Sequence, residues 1–279
     1  MTGIFGDPVA HSWSSYMHNA AFAELGLDMV YVPWRVRAED LENAVEAIRS
    51  LNLVGVNVTI PHKVAVLPYL DEVTPQARLI GAVNTIHNQD GRLVGYNTDG
   101  AGFLESLRRE AGVDPKGATV MLAGAGGAAR AVAMALAAVG ARRIVFANRT
   151  LERARDLAGA VAVAVPSCEA HAIVLDEAVL RQRLAGVDIF INASPVGMHP
   201  AVDQPPVVEP ALFPPGILVC DLVYNPLETR LLRESRERDL KILTGDGMLL
   251  YQGVLAFEIW TGRQAPVDIM RAALKDALG

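Results

Sequence analysis

The stretch TVMLAGAGGAAR at residues 119–130 decides the class of fold. Its first five residues predict a buried strand, and an alanine-rich helix pattern continues to Val139. The glycines between them permit a tight turn, so that backbone N–H groups can approach a pyrophosphate at the positive end of the helix. A simple turn into a packed helix would contain similar glycines, so the flanking strand and helix carry the prediction. We predict dinucleotide binding by Gly124, Gly126, Gly127 and Ala128.

The tip of the following strand indicates which dinucleotide is bound. NAD-binding proteins usually carry Asp or Glu about 20 residues after the glycine loop. Here Asn148, Arg149 and Thr150 occupy that tip, and Arg153 follows one turn later. Because guanidinium binds phosphate in a bidentate manner, these residues suit the 2′-phosphate of NADP. The alternative is an ordinary solvated helix start, with Thr150 as its N-cap.

Strand and helix patterns alternate along the whole chain, which predicts an α/β fold. The predicted strands are residues 2–6, 29–36, 54–59, 82–87, 93–96, 119–123, 143–148, 160–165, 188–192, 217–222 and 241–244. The predicted helices are residues 18–25, 38–51, 61–70, 100–111, the alanine-rich helix, 247–262 and 266–278. Near-continuous apolar strands separated by helices indicate a parallel sheet that is covered on both faces.

Composition excludes several classes of protein. The 279 residues are enough for two domains. The net charge is −6 and no long basic run occurs, which argues against nucleic acid or an anionic membrane as a partner. No apolar run approaches the roughly 18 residues that span a bilayer, and the N-terminus does not resemble a signal peptide, so we expect a cytoplasmic protein. The two cysteines and six histidines lack metal-site spacing, so no metal is expected.

Two glycine-bordered segments in the first third carry groups suited to proton transfer. The segment GVNVTIPHK at residues 55–63 ends in Lys63, and GYNTDG at residues 95–100 contains Asp99. A lysine and an aspartate at strand ends form a proton-transfer pair if the fold brings them together. Taken singly, Lys63 would be a solvated lysine and Asp99 a helix N-cap.

A third segment, GDPVAHSWSSYMHN at residues 6–19, is rich in hydroxyl and imidazole groups. Ser12 and Ser14 are two positions apart, so in an extended segment both hydroxyls face one side and can bind a carboxylate. The alternative is that one of them caps the helix that contains His18. We expect His11, His18 and His62 to be structural or exposed on loops rather than catalytic.

Taken together, these segments resemble the shikimate dehydrogenase family over nearly the whole chain. The motifs that carry the resemblance are HSxS at 11–14, NVTxPxK at 57–63, GAVNT at 81–85, NTDG at 97–100, the glycine loop, NRT at 148–150, NASPxGM at 192–198, YNP at 224–226, and GDGM at 245–248 followed by Gln252. Each motif alone is weak evidence for the family. Nine motifs in the family's order argue strongly against a chance match.

The resemblance implies a two-domain α/β fold. An N-terminal α/β substrate domain would span residues 1–100 and be completed by C-terminal helices at 245–279. A Rossmann-type NADP-binding domain would span residues 101–244. The implied activity is the reversible reduction of 3-dehydroshikimate to shikimate with NADPH, in the pathway to chorismate and the aromatic amino acids. The implied partner is this small molecule alone, with the protein a monomer or homodimer.

The resemblance also implies roles for matching positions. Lys63 would protonate the carbonyl oxygen, with Asp99 positioning it. The substrate carboxylate would be bound by Ser12, Ser14 and Tyr224. The ring hydroxyls would be bound by Thr59, Asn84, Asp99 and Gln252. The cofactor would be bound by Gly124, Gly126, Gly127, Ala128, Asn148, Arg149, Thr150, Arg153, Ser194, Met198, Leu222, Gly245 and Met248.

One departure from the family pattern concerns Ser15, where the family usually has proline. Serine there would loosen the turn or cap the helix.

Three alternative functions remain open. The first is a quinate/shikimate dehydrogenase using NAD or NADP, which Arg149 argues against. The second is a shikimate-binding protein without activity, which the presence of both Lys63 and Asp99 argues against. The third is a folate-linked dehydrogenase, which would need a Tyr-x-x-x-Lys pattern where Thr59 stands.

Overall fold

The computed structural model describes residues 1–9 and 12–278. The chain divides into two compact units. Unit 1 comprises residues 1–102 together with the segment from 250 onward, and unit 2 comprises residues 103–249. Among the described residues, no helix is both long and apolar enough to span a bilayer.

The strands and helices are bounded as follows. The strands are β1 Thr2–Gly6, β2 Tyr31–Arg35, β3 Gly55–Val58, β4 Glu72–Val73, β5 Thr85–Gln89, β6 Arg92–Tyr96, β7 Thr119–Ala123, β8 Arg143–Asn148, β9 Glu169–Val174, β10 Ile189–Asn192, β11 Leu218–Asp221 and β12 Lys241–Leu243. The helices are α1 Ser14–Glu24, α2 Leu41–Ser50, α3 His62–Ala65, α4 Pro75–Ile80, α5 Asp99–Arg109, α6 Gly127–Ala138, α7 Leu151–Ala164, α8 Glu177–Arg183, α9 Arg230–Arg236, α10 Asp246–Thr261 and α11 Val267–Leu278.

Unit 1 is built on a mixed sheet with the strand order β2-β1-β3-β5-β6-β4. Strand β1 pairs in parallel with β2 and β3, whereas β5 pairs antiparallel with β3 and β6. The short loop Asp90-Gly91 closes the hairpin between β5 and β6, and both of its residues have positive φ. Buried residues such as Phe5, Val56 and Ile86 form the core against α2.

An aromatic cluster, formed by His18, Phe22, Tyr31, Phe257 and Trp260, lies in the core of unit 1. It joins α1 and β2 to α10, so the C-terminal segment is part of this core. The indole of Trp260 also donates a hydrogen bond to the Ile86 carbonyl, at 2.9 Å. A Cβ atom at Gly55 would lie 2.3 Å from that carbonyl oxygen, so the position requires glycine.

Unit 2 contains a parallel sheet with the strand order β12-β11-β10-β7-β8-β9. Each neighbouring pair of strands is parallel, and β7 lies between β10 and β8. Fully buried residues such as Phe190 and Val219 pack with Leu180 of α8 and Leu232 of α9. The chain order reverses at β7, which makes the crevice beside it the usual ligand site of such sheets. The α/β prediction is confirmed, including the Rossmann-type parallel sheet.

One predicted strand is wrong. Residues 160–165 are helical up to Ala164 and form the end of α7, because Ala154, Leu157, Ala158 and Val161 recur at helical spacing and are buried together. The strand in this region is β9, which lies at the edge of the sheet. Exposed and partly buried residues alternate along its first half. Its sequence, EAHAIV, contains glutamate and two alanines, which are depleted in strands, so the sequence pattern does not reveal it.

Other predicted elements differ mainly in extent. The helix expected at 61–70 is two short pieces, α3 and a 3₁₀ turn at Leu67–Tyr69 that contains Pro68. Helix α1 begins at Ser14, four residues before its predicted start. The short elements β4, α4, α8 and α9 have no counterpart among the predicted elements.

Candidate active site

Lys63 and Asp99 meet in unit 1. The Lys63 Nζ lies 2.6 Å from Asp99 Oδ2, with the side chains 25% and 7% exposed. Lys63 lies on α3, directly after β3, and Asp99 is the first residue of α5, where a carboxylate is favoured by the helix dipole. The predicted pair therefore has hydrogen-bonding geometry, and its lysine is neither fully solvated nor fully buried.

Asn84 holds the other oxygen of Asp99. Its Nδ2 donates to Asp99 Oδ1 at 2.8 Å and to Thr98 Oγ1 at 2.9 Å, while its Oδ1 accepts from the Thr98 N–H at 2.8 Å. Because a backbone N–H can only donate, this last contact fixes which end of the amide faces Asp99. The structure thus places Asn84 as a support of Asp99, with both amide protons used inside the protein.

A buried chain of hydrogen bonds continues from Asn84 to Tyr31. Thr85 Oγ1 donates to Asn84 Oδ1 at 3.1 Å and accepts from Asn57 Nδ2 at 3.0 Å. The Tyr31 hydroxyl donates to Asn57 Oδ1 at 2.7 Å. Burial raises the pKa of Tyr31. Sequence reasoning missed Tyr31, because a single tyrosine in a strand carries no local sign of its partners.

The two serines predicted to bind a carboxylate differ in how deeply they are buried. Ser12 is half-buried, whereas Ser14 is 4% exposed and is the first residue of α1. In the described part of the chain, α1 has Trp13 at its N-cap position and no side-chain cap. Neither serine acts as that cap. Ser15 does not cap the helix either, and its buried Oγ has no partner among the described residues.

Three further substrate positions were predicted. Thr59 is half-buried after β3, and its N–H donates to the Phe5 carbonyl at 2.9 Å. Gln252 is 9% exposed on α10, and a Cβ atom at Gly102 would lie 2.6 Å from its backbone nitrogen, so the two helices cross at close range in unit 1. Tyr224 belongs to unit 2, where its side chain is 39% exposed.

His18 and His62, two of the three histidines expected to be structural or exposed on loops, are buried. His62 is buried, and its Nε2 lies 2.7 Å from the Val36 carbonyl oxygen. His18 is fully buried in the aromatic cluster, and burial lowers its pKa from 6.5 to about 3. Among the described residues, neither nitrogen of His18 has a hydrogen-bond partner. His11 lies outside the described residues. No group of three His, Cys, Asp or Glu residues in the described ranges could hold a metal.

The glycine loop of unit 2 follows β7 at the point where the strand order reverses. Gly124 has φ +120°, and a Cβ atom there would lie 2.8 Å from the carbonyl oxygen of Ala193, after β10. Only glycine satisfies both conditions. Gly126 and Gly127 are exposed, and a Cβ at either would meet nothing within 4 Å, so the start of α6 is open on this side. Ala128 is half-buried beside them.

The residues predicted for the 2′-phosphate lie at the end of β8. Arg149, Thr150 and Arg153 are exposed, and Asn148 donates from Nδ2 to the Thr150 carbonyl at 2.8 Å. Thr150 is at the N-cap position of α7, yet its side chain forms no cap hydrogen bond within the described residues. The guanidinium groups and this hydroxyl are therefore available for an anion, as a 2′-phosphate requires.

The loop after β10 is fixed by a buried carboxylate that sequence reasoning missed. Asp221 accepts from Asn192 Nδ2 at 2.9 Å, from Thr229 Oγ1 at 2.7 Å and from the Val223 N–H at 3.0 Å. Asn192 in turn accepts from the Ser194 hydroxyl at 2.7 Å. Burial raises the pKa of Asp221 to about 6, against the lowering effect of its hydrogen bonds. The only sequence sign was an acid at the end of an apolar strand.

The remaining predicted cofactor residues also lie in unit 2. Met198 is 45% exposed, and Leu222 and Met248 are half-buried. A Cβ atom at Gly245 would lie 2.7 Å from the Leu222 carbonyl oxygen, so glycine permits this close approach of backbone. These placements are compatible with a nicotinamide site, which stays a prediction.

A parallel sheet with a glycine loop at its switch point, and a second unit with a Lys–Asp pair, are together typical of two-domain nicotinamide-dependent dehydrogenases. Three family models match the chain. The shikimate dehydrogenase substrate binding domain matches residues 4–86, shikimate / quinate 5-dehydrogenase matches 106–208, and the shikimate 5′-dehydrogenase C-terminal domain matches 245–275. The chain belongs to the shikimate dehydrogenase family.

Individual relatives agree with this membership. A shikimate dehydrogenase (NADP(+)) of Desulforamulus reducens is 52% identical, over 98% of this chain and 93% of the relative. A crystal structure of a shikimate dehydrogenase in complex with NADP+ has a TM-score of 0.94 and 44% identity, covering 100% of this chain and 95% of the other. The Thermus thermophilus enzyme, in complex with NADP(H) and shikimate, has a TM-score of 0.88 and 39% identity, with 99% and 98% covered.

Proposed function

We propose that this protein is an oxidoreductase that reduces 3-dehydroshikimate to shikimate, reversibly, with NADPH. NADPH supplies the hydride when bound. Lys63 donates a proton to the ketone oxygen as the carbonyl carbon gains the hydride, so the ketone becomes a secondary alcohol. Family membership and the named relatives support this reaction.

The Lys63–Asp99 pair is the observation that carries the proposal. A ketone gains negative charge on oxygen as it is reduced, and a nearby ammonium group stabilises that charge and can protonate it. Asp99 holds the ammonium at 2.6 Å and is itself held by Asn84 at 2.8 Å. In the reverse direction, Lys63 removes the hydroxyl proton as hydride leaves the carbon.

The glycine loop and the residues at the end of β8, both in unit 2, support NADP as the cofactor. The open start of α6 at Gly126 and Gly127 suits a pyrophosphate, because a backbone without side chains can approach it closely. Arg149, Thr150 and Arg153 would hold the 2′-phosphate, and no acid stands at the tip of β8 to favour NAD. The site near the nicotinamide would include Ser194, Met198, Leu222, Gly245 and Met248.

The substrate is a carboxylic acid with ring hydroxyls, and unit 1 offers groups for both. Ser12 and Ser14 would bind the carboxylate, and Thr59, Asn84, Asp99 and Gln252 would bind ring hydroxyls. Quinate carries one more hydroxyl on the carbon that bears the carboxylate, so the serines are where it would be distinguished. The second candidate, a dehydrogenase acting on quinate as well, is favoured by the shikimate / quinate family description and by the similarity to a quinate dehydrogenase of Corynebacterium glutamicum, at 33% identity and a TM-score of 0.90.

A two-by-two oxidation assay tests the proposal. Shikimate or quinate is combined with NADP or NAD, and the absorbance of the reduced cofactor is followed. We expect strong turnover only with shikimate and NADP. Comparable turnover with quinate or NAD would assign the protein to the broader subgroup. Turnover in no combination would exclude the proposed reaction and favour a ligand-binding protein without activity.

The proposal extends to the state of the protein in the cell. A net charge of −6 and the lack of a long basic run support the absence of a nucleic-acid partner. Cys168 and Cys220 are both free thiols, which suits the reducing cytoplasm. We assign a cytoplasmic monomer or homodimer, which sedimentation of the purified protein and cell fractionation would test.

A further inference from the structure

A row of buried hydrogen bonds links the Tyr31 hydroxyl to the carboxylate of Asp99. Three side chains lie between them, those of Asn57 in β3, Thr85 at the start of β5 and Asn84 just before it. These five residues form what we call the hydrogen-bond row, and each is at most 5% exposed. Hydrogen bonds in such low-dielectric surroundings are stronger than in water, so the row can hold its members rigidly.

Two backbone groups determine which way each amide of the row faces. The Asn84 carbonyl oxygen can only accept and lies 3.1 Å from Asn57 Nδ2, so Asn57 Oδ1 faces Tyr31. The Thr98 N–H can only donate and bonds Asn84 Oδ1 at 2.8 Å, so Asn84 Nδ2 faces Asp99. Neither amide can turn over without losing its backbone partner.

Thr85 joins the two amides of the row. Its Oγ1 accepts from Asn57 Nδ2 at 3.0 Å, so its single proton remains for another acceptor. That acceptor is Asn84 Oδ1, which at 3.1 Å is closer than Thr98 Oγ1 at 3.5 Å. Removal of the Thr85 hydroxyl would therefore interrupt the row, while each amide would keep its backbone partner.

Every proton in the row consequently points toward Asp99. Tyr31 donates to Asn57 Oδ1 at 2.7 Å, because an amide oxygen can only accept. Asn57 donates to Thr85, Thr85 donates to Asn84, and Asn84 Nδ2 donates to Asp99 Oδ1 at 2.8 Å. Hydrogen bonds aligned in one direction polarise one another, so each of them strengthens the last bond, which holds the carboxylate.

We propose that Thr85 and Tyr31 are positioning residues for the reaction, and that they act on Lys63 through the hydrogen-bond row and Asp99. The inference rests on the proposed function, in which Lys63 protonates the ketone oxygen. Asp99 Oδ2 holds the Lys63 Nζ at 2.6 Å, so the orientation of this carboxylate sets the position of the ammonium group. A proton donor must lie within hydrogen-bond reach of its target, and a small displacement slows the reaction.

The test compares Thr85→Val with Thr85→Ser in turnover with saturating shikimate and NADP. Valine keeps the shape of threonine without its hydroxyl, whereas serine keeps the hydroxyl without the methyl group. We expect Thr85→Val to lower kcat about three- to tenfold, the effect of losing one neutral hydrogen bond, with a smaller change in KM for shikimate. Thr85→Ser should stay close to the wild-type kcat. A purely packing role of Thr85 would give the opposite order.

Combined variants test whether Thr85 acts through Asn84. In the Asn84→Ala background, Thr85→Val should cause no further loss of kcat, because the row is already interrupted. Tyr31→Phe keeps the ring that stacks on His18 and removes only the first proton of the row. Alone it should lower kcat about twofold, at the lower end of the effect of a neutral hydrogen bond, and in the Thr85→Val background it should have no effect.

The matched control is Thr2→Val. Thr2 is also fully buried at the start of a strand of the same sheet, and its hydroxyl donates to the Val30 carbonyl at 3.3 Å. This change deletes a buried threonine hydroxyl outside the hydrogen-bond row, so we expect the wild-type kcat.

Three results would overturn the inference: a kcat of Thr85→Val equal to that of Thr2→Val, a Thr85→Ser variant as slow as Thr85→Val, or additive losses in the Asn84→Ala background. If Thr85→Val does not fold, an unchanged kcat in Tyr31→Phe would overturn it. Failure of the proposed function looks different, because the wild-type protein would then not oxidise shikimate with NADP.

Discussion

The Nζ of Lys63 lies 2.6 Å from Oδ2 of Asp99, although the two residues are 36 positions apart in the chain. Each stands where a helix begins, Lys63 in α3 after β3 and Asp99 at the start of α5 after β6. The remaining oxygen of Asp99 is occupied by the Asn84 amide. The ammonium group therefore has one fixed anionic partner, while a quarter of the lysine side chain stays accessible.

Lys63→Ala should lower kcat by about 10²–10⁴-fold, because it removes the group that protonates the ketone oxygen. The measurement is turnover with saturating shikimate and NADP. Lys275→Ala, which changes an exposed lysine of α11 in the same unit, is the control and should keep normal turnover. Near-normal kcat in Lys63→Ala would show that another residue moves the proton.

Asn84→Ala should lower kcat/KM for shikimate by about 10- to 100-fold, because hydrogen bonds to a charged group contribute about 1.5–3 kcal/mol. Steady-state kinetics would measure the loss. Asn88→Ala is the control, since its amide donates to the Ile48 and Leu53 carbonyls elsewhere in unit 1. Equal kinetic losses in the two variants would mean that Asn84 acts only through stability.

Arg149→Ala should raise KM for NADP by about 10- to 100-fold while leaving KM for NAD nearly unchanged, because only NADP carries the 2′-phosphate. The measurement is KM for each cofactor with shikimate saturating. Arg155→Ala removes an equally exposed guanidinium from α7 and should change neither value. A parallel rise for NAD would place Arg149 elsewhere than at the 2′-phosphate.

Buried His18 should make unit 1 sensitive to acid. Burial lowers its pKa from 6.5 to about 3, so the unfolded chain takes up a proton that the folded protein excludes. This stability is present above pH 6.5 and is lost as the pH falls. Between pH 7 and pH 5, His18→Phe should lose about 2 kcal/mol less stability than the wild type in urea unfolding. Identical losses in both proteins would contradict a neutral, buried His18.

Asp221 should have the opposite pH dependence. Burial raises its pKa from 3.8 to about 6, so the folded protein binds a proton more tightly than the unfolded chain and loses stability as the pH rises through this range. From pH 4.5 to 7.5, Asp221→Asn should gain about 2 kcal/mol in unfolding free energy relative to the wild type. Asp156→Asn, an exposed position in α7, should show no such trend.

The features that could be predicted are those that a short stretch of neighbouring residues determines. Gly124 was identifiable because a strand, a tight turn and a helix follow one another within a dozen residues. Lys63 and Asp99 were each ambiguous alone, and only the order of motifs along the chain made them a pair. Tyr31 and Asp221 escaped prediction because their partners come from distant strands. The prediction of a strand at 160–165 was wrong because this stretch of alanine and valine continues a helix. The buried face of that helix also includes Ala154 and Leu157.

The return of the chain from unit 2 to unit 1 has a consequence for biosynthesis. Unit 2 is one continuous segment, so it can fold on the ribosome as soon as residue 249 has emerged. Unit 1 cannot, because Phe257 and Trp260 surround His18 and α11 packs on α1. During translation, the first ~100 residues are therefore synthesised long before the C-terminal segment that covers part of their apolar surface. They remain incompletely folded, with that surface exposed, until the segment is made. That interval is when a chaperone would be most needed.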